Sequence, residues 1–63
     1  MSPEKFHSIS NGMARADVLK FGAPAGKITM FEDGHLVEVY SYHQNGQKVG
    51  TLRLTDGAVS SVQ

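Results

Sequence analysis

The chain has 63 residues, with six basic and six acidic side chains and no cysteine, which is typical of one small domain covering residues 1–63. A domain of this size buries only about 60% of its unfolded surface, and no disulfide or thiolate metal site can reinforce it. The zero formal charge lacks the basic excess expected of a nucleic-acid binder, and no apolar run approaches the ~20 residues of a transmembrane segment.

The first residues are predicted to form a leader. Met1 to Lys5 lacks the apolar segment of a signal peptide, and we expect residues 1–8 to be flexible. Phe6 and Ile9 indicate a short turn or helix within or just after this leader, packed beside a longer helix.

The longer helix is predicted over Met13 to Lys20, a segment that contains good helix formers. Ser10-Asn11-Gly12 supplies capping residues before it. Gly22 is a natural stop, and Pro24 prevents the helix from continuing. We expect this helix, alone or as one of a pair, to cover one face of a sheet.

Three dipeptides in the second half predict tight hairpins: Asp33-Gly34, Asn45-Gly46 and Asp56-Gly57. Type I′ turns need positive φ at both central residues, which Asp-Gly and Asn-Gly tolerate best. The segments between them are rich in Val, Thr, Tyr and Leu, as strands are. The predicted fold class is therefore α+β, an N-terminal helix or helix pair packed on a four-stranded antiparallel β-meander.

The turns also predict which residues share a face, because residues pair outward from each two-residue loop. This counting places Tyr40 opposite Thr51 and Glu38 opposite Arg53. The predicted buried face contains Ile28, Met30, Val37, Val39, Leu52, Leu54 and Val59. The predicted open face contains Lys27, Thr29, Phe31, Leu36, Glu38, Tyr40, Tyr42, Val49, Thr51, Arg53, Thr55, Ser60 and Val62.

The open face is the predicted functional surface, since Tyr and Arg are enriched at interface hot spots. Three alternatives remain for this surface: an ordinary amphipathic face, burial by self-association, or cover by the N-terminal segment, which would reverse the two faces. We expect joint replacement of the tyrosines by Thr to leave the fold intact, and Val39→Asp to unfold it. The candidate partner-binding residues are Phe31, Leu36, Glu38, Tyr40, Tyr42 and Arg53.

The N-terminal third resembles the opening motif of a known family. The resemblance is carried by Ile9 to Leu19, Ile-Ser-Asn-Gly-Met-Ala-Arg-Ala-Asp-Val-Leu, followed by Phe21-Gly22-Ala23-Pro24. This run is similar to the Gly-Met-Thr…Val…Leu-Gly-x-Pro pattern of the BamE/SmpA/OmlA family of small bacterial outer-membrane lipoproteins, whose helix-on-sheet unit the β-lactamase inhibitory protein shares. Downstream, Val37 to Tyr42, Thr51 to Leu54 and Asp56 to Val62 resemble the family's later strands.

The resemblance implies a non-catalytic adaptor that binds another protein, in the periplasm or at the outer membrane, with no cofactor. Between Val18 and Gly22 the chain is one residue shorter than is usual in the family. A deletion there rotates the end of the helix by roughly 100°. Phe21 would then point away from the core position that its family counterpart fills. Either the helix tightens locally, or the N-terminal segment docks differently, for example on a partner subunit.

The residues themselves give little sign of catalysis. The serines stand in no nucleophile motif, and His35 and His43 are about 26 Å apart along one strand, too far to share a metal. Turn propensity accounts for Asp33 and Asp56. Residues 22–26 are Gly-rich but lack the Lys-Ser/Thr of a phosphate loop. We expect a binding domain without enzymatic activity, cofactor, metal or small-molecule substrate; its partner is another protein or, alternatively, a second copy of itself.

Overall fold

The computed structural model describes all residues from 1 to 63 and consists of two short helices followed by four strands. The strands form one antiparallel sheet in the order β1-β2-β3-β4, with the helices packed on one face. The predicted α+β class and β-meander are confirmed. The elements are α1 (Pro3–His7), α2 (Arg15–Phe21), β1 (Gly26–Glu32), β2 (His35–Gln44), β3 (Gln47–Thr55) and β4 (Ala58–Val62).

All three predicted hairpin turns are present. Asp33, Asn45 and Asp56 have φ values of 51°, 53° and 50°, and the glycine after each has a φ of 78°, 77° and 84°. Positive φ at both central positions is the signature of the type I′ turn, whose twist matches that of the flanking strands. The turn chemistry of the sequence therefore determines the end of β1, both ends of β2 and β3, and the beginning of β4.

The first hairpin has the predicted register, but the other two each contain a bulge. Tyr42 pairs with Gly50 and His43 with Lys48, so Val49 is an extra residue in β3. An equivalent shift between Arg53 and Leu54 leaves Ser60 as the extra residue in β4. Because side chains alternate between faces, one extra residue moves everything beyond it to the opposite face.

The predicted buried face is consequently wrong for its first half. The residues of β1 and β2 that we expected in the core, Ile28, Met30, Val37 and Val39, lie on the face that the helices leave uncovered, here called the outer face. Leu52, Leu54 and Val59 are buried as predicted. They share the core with residues expected on the open face, because Tyr40 pairs with Leu52 rather than with Thr51. The core cluster comprises Phe6, Ile9, Val18, Tyr40, Tyr42, Leu52, Leu54 and Val59.

The expected leader contributes to this core. Ser2 caps α1, its Oγ accepting a hydrogen bond from the N–H of Lys5 at 3.3 Å, and Pro3 occupies the first turn, where its missing N–H costs nothing. Phe6 is only 2% exposed and packs against Tyr42. The predicted short helix around Phe6 is thus present, and it is integral to the hydrophobic core.

Helix α2 begins two residues later than predicted, and its cap, Ala14, supplies no side-chain hydrogen bond. Residues 12–15 pair with β4 instead: the N–H of Gly12 donates to the Val59 carbonyl at 2.7 Å, and the Val59 N–H donates to Met13. The N–H of Arg15 donates to the carbonyl of Gly57 in the last turn, which satisfies a donor that the helix start would leave free. This extended pairing prevents the helix from starting at Met13.

At the other end of α2, Phe21 is partly buried and packs against the core, so it does not point away despite the shortened segment. The helix stops at Gly22, as predicted. The carbonyl of Gly22 accepts a hydrogen bond from the Tyr42 hydroxyl at 3.2 Å. The sheet thereby fixes the position of the helix end.

Candidate interaction surface

Glu38, predicted to be exposed and to contact a partner, is only 4% exposed and lies beneath α2. Its Oε1 accepts hydrogen bonds from Nε and Nη2 of Arg15, at 2.8 and 2.5 Å. Its Oε2 accepts one from the Tyr40 hydroxyl at 3.2 Å and lies 3.4 Å from Nζ of Lys27. Every buried side-chain oxygen and nitrogen of the protein has a partner, which is the condition for burying a charge at tolerable cost.

The protonation of Glu38 follows from these contacts. Burial by itself raises the pKa of the carboxyl, but the hydrogen bonds and charge of Arg15, with those of Tyr40 and Lys27, outweigh it and hold the pKa below its usual value. The carboxylate is therefore ionised at neutral pH. It fastens the first turn of α2 to the middle of the sheet.

Tyr40 and Tyr42 do stand in one row, but both are about 1% exposed, so they are not available on an open surface. Their ring centroids are 6.5 Å apart in an edge-on arrangement. Burial raises the pKa of both hydroxyls, and the charge of Glu38 adds to the effect at Tyr40. The predicted aromatic contact surface is instead the part of the core on which the helices rest.

Arg53 was expected on the open face beside Glu38. It does lie on the outer face, but the bulges separate it from Glu38, which lies on the helix side. On the outer face Arg53 forms an ion pair with Glu32 of β1, and both side chains are nearly half exposed. Arg53 stands opposite Val39, and Glu32 stands opposite His35, so the pair spans the intervening Val37. Val37 is 2% exposed although it lies on the outer face. Val37 is thus flanked by Met30 and Thr55 across the strands and by this ion pair along the diagonal.

The remaining predicted residues, Phe31 and Leu36, face each other across the first hairpin on the helix side of the sheet. Leu36 is half-buried, whereas Phe31 is 79% exposed because neither helix covers this end of β1. Of the six predicted contact residues, only Phe31 is strongly exposed. The six are divided between the core, the outer face and the edge of the sheet, and do not form one patch.

The outer face presents an apolar surface that sequence reasoning missed. Ile28 is 60% exposed, and Met30 and Val39 are half-buried beside it. A depression of about 140 Å³ lies beside Val39, which is its one hydrophobic lining residue. No local signal identifies these residues, because they become exposed only through bulges elsewhere in the chain. The lining residues are Val39, Thr51, Arg53, Ser61 and Gln63.

Strand β1 is a free edge of the sheet. It pairs with β2 only, and six of its seven residues are exposed. The opposite edge differs, since the beginning of β4 is covered by residues 12–15. Unpaired backbone donors and acceptors along an edge strand can pair with another chain.

Of the histidines and aspartates considered above, His35 and Asp56 form a contact that stabilises a turn. Nδ1 of His35 lies 2.6 Å from Oδ2 of Asp56, whose Oδ1 accepts a hydrogen bond from the N–H of Leu36. These two contacts lower the pKa of the Asp56 carboxyl. They tie the last turn to the start of β2. No three His, Asp or Glu side chains come close enough together to hold a metal ion.

Comparisons of the chain with protein-family models, with curated proteins and with solved structures give no match. The resemblance to the BamE/SmpA/OmlA family therefore stays a prediction from the quoted motifs. Neither helix has the length and apolar character needed to cross a membrane.

Proposed function

We propose that this chain is a non-catalytic protein-binding domain whose contact surface is the outer face of the sheet. The observation that carries the proposal is the exposure of Ile28, 60%, next to the partly exposed side chains of Met30 and Val39. Contiguous exposed apolar side chains with a polar rim are characteristic of interaction sites. The ion pair of Arg53 with Glu32 supplies charged groups at the border of the apolar part.

The construction of the domain favours this use of the sheet. The helices cover one face of the sheet except along β1, and the four strands present the other as a continuous surface fixed by three tight turns. A preorganised surface loses little conformational entropy when it binds, which favours affinity. The partner that fits is a protein surface with an apolar centre and polar groups positioned for Arg53 and Glu32.

The family resemblance supports an adaptor role, and by the same resemblance we propose the bacterial envelope as its setting. The residues themselves favour binding over catalysis. The buried charged residue Glu38 is engaged in fastening α2, and Asp56 in fastening a turn. Both thus have structural roles that account for them.

A photo-crosslinking amino acid at position 28 tests the proposal, with the same group at position 19 as control. Leu19 is also an exposed large apolar residue, 43% exposed, but it lies on α2. In envelope extracts of the source cells, we expect position 28 to give a discrete adduct with another protein, which excess unlabelled domain suppresses, and position 19 to give none. Identical adducts from both positions, or none, would contradict an outer-face binding site.

The alternative is that two copies bury the outer face against each other. The half-buried Val39 at the centre of that face favours it. Sedimentation equilibrium separates the alternatives, because Val39→Asp would reduce a face-to-face dimer to the 6.8 kDa monomer. A mass that does not change on this substitution excludes that arrangement.

A further inference from the structure

The hydrogen-bonding pattern of β1 determines which of its backbone groups are free. In the first turn, Glu32 and His35 flank the two central residues and form a hydrogen-bonded pair. Such pairs alternate along an antiparallel ladder, so Met30 and Ile28 also bond to β2. The N–H and C=O groups of Lys27, Thr29 and Phe31 accordingly point away from the sheet.

This edge lacks the usual devices that prevent pairing. Strand β1 contains no proline, and its ladder with β2 has no bulge. A lysine often protects an edge, but Nζ of Lys27 is 3.4 Å from the buried Glu38 and 5.9 Å from the centre of the Tyr40 ring. The ammonium group of Lys27 thus lies over β2 and leaves the free edge of β1 unprotected.

We propose that β1 pairs antiparallel with β1 of a second copy of this chain, about a two-fold axis at Thr29. The three residues with outward backbone groups are spaced symmetrically about Thr29. In this register, Lys27 meets Phe31 of the second copy and Thr29 meets its own equivalent. Three hydrogen-bonded pairs would supply about six new backbone hydrogen bonds, and all seven residues of the strand take part.

The side chains complement each other in the same register. Ile28 lies opposite Met30 of the second copy, which extends the apolar part of the outer face across the junction. Lys27 lies near one end of the strand and Glu32 at the other, so antiparallel pairing keeps each away from its equivalent in the second copy, whereas parallel pairing in register would align like charges. Phe31, 79% exposed in the single chain, gains the alkyl stem of Lys27 as a neighbour.

The inference goes beyond the proposed function. Edge pairing joins two sheets side by side and leaves the outer face free for its partner. Neither helix has to move, because Lys27, Thr29 and Phe31 are exposed on the helix side and the space beyond them is open.

Thr29→Pro tests the pairing directly. Proline removes the outward N–H of residue 29, which bonds to nothing within the chain, and so breaks the junction while preserving the β1–β2 ladder. Sedimentation equilibrium at submillimolar concentration should give twice 6.8 kDa for the original chain and 6.8 kDa for the variant. A monomeric original chain, or a folded Thr29→Pro variant of unchanged mass, would overturn the proposal.

Single cysteines provide a second test that does not require the proline variant to fold, because the chain has no cysteine of its own. Across the proposed axis the two Cα atoms of residue 29 are about 5.5 Å apart, within the range that a disulfide bridges. Thr29→Cys should oxidise rapidly to a covalent dimer, whereas Ser60→Cys, exposed on β4, should stay largely monomeric. Equal cross-linking of both variants would contradict the axis.

These outcomes are distinguishable from failure of the proposed function. If the edge pairing is wrong, the mass and cysteine results fail while the cross-link from position 28 to another protein persists. If the outer-face function is wrong, that cross-link is absent while the original chain still doubles its mass and Thr29→Cys still forms its disulfide.

Discussion

The ring of Phe6 rests directly on the backbone of Gly50. A methyl group at Gly50 would lie 2.4 Å from two carbons of that ring and 2.7 Å from the carbonyl oxygen of Gln63. Real side chains do not approach so closely, so α1 can occupy its place only because position 50 has no side chain.

Gly50→Ala should therefore destabilise the domain by about 1–3 kcal/mol, the usual cost of overpacking a core. Gly26→Ala is the matched control, because it is also a strand glycine and its added methyl would meet only Ser41 at an ordinary distance of 3.8 Å. Urea unfolding of the two variants measures the difference. Equal stability of the two would show that α1 does not pack on Gly50.

Replacement of Glu38 should cost more than replacement of any other acidic residue. Glu38→Ala removes the acceptor of Arg15 and Tyr40, and we expect a loss of roughly 1–3 kcal/mol in the free energy of unfolding. The exposed parts of Arg15 and Lys27 can recover water, which limits the loss. Glu32→Ala, which breaks an ion pair of half-exposed side chains, should cost no more than about 1 kcal/mol. Thermal melts that rank Glu32→Ala as the more harmful change would contradict the buried network.

Stability should fall on both sides of neutral pH. The pKa values of Glu38 and Asp56 are lowered in the folded protein, so their contributions are complete above the unfolded-state pKa values near about 4 and disappear as the pH falls through the folded values. Burial raises the pKa values of Tyr40 and Tyr42, so their contribution is complete below about pH 10 and is lost as the pH rises through the folded values.

Denaturant midpoints measured from acid to alkaline pH test this profile. Glu38→Gln should flatten the acid side, because a neutral amide takes no proton there. The Tyr42→Phe variant should flatten part of the alkaline side. An acid side that is unchanged by Glu38→Gln would mean that this carboxyl does not govern the acid sensitivity.

Because the two faces of β2 are reversed, the effects expected for the double tyrosine replacement and for Val39→Asp are exchanged. Joint replacement of Tyr40 and Tyr42 by Thr should unfold the protein, because loss of a single buried aromatic side chain costs about 3–5 kcal/mol. Val39→Asp should still melt cooperatively, since it places a carboxylate on the outer face opposite Arg53. Far-UV circular dichroism with thermal scans distinguishes the two variants. A folded tyrosine variant and an unfolded Val39→Asp variant would restore the faces expected from turn counting.

The sequence predicted what depends on local chemistry. Asp-Gly and Asn-Gly favour the type I′ turn, so the order of the strands and the register of the first hairpin follow from them. The bulges at Val49 and Ser60 could not be predicted in the same way, because neither residue has a distinctive preference for an unpaired position. A bulge at Val49 brings Gly50 beneath Phe6, which is a long-range contact.

The candidate contact residues were misplaced for the same reason. Val37 and Val39 look more like core than Glu38, Tyr40 and Tyr42, and alternation alone fits either face. Which face of β2 is buried depends on a long-range contact: the buried Glu38 carboxylate needs Arg15, which is 23 positions away in the chain. The late start of α2 is similar, because Met13 has good helix-forming neighbours but bonds to Val59.

The strand-like pairing of residues 12–15 with β4 limits the size of any assembly. A sheet with two open edges can add chains without end, as fibrils do. Here the chain itself occupies the start of β4, so each molecule offers one full-length free strand. A symmetric dimer formed through β1 occupies this edge strand in both molecules, so no further chain can add there and assembly stops at the dimer.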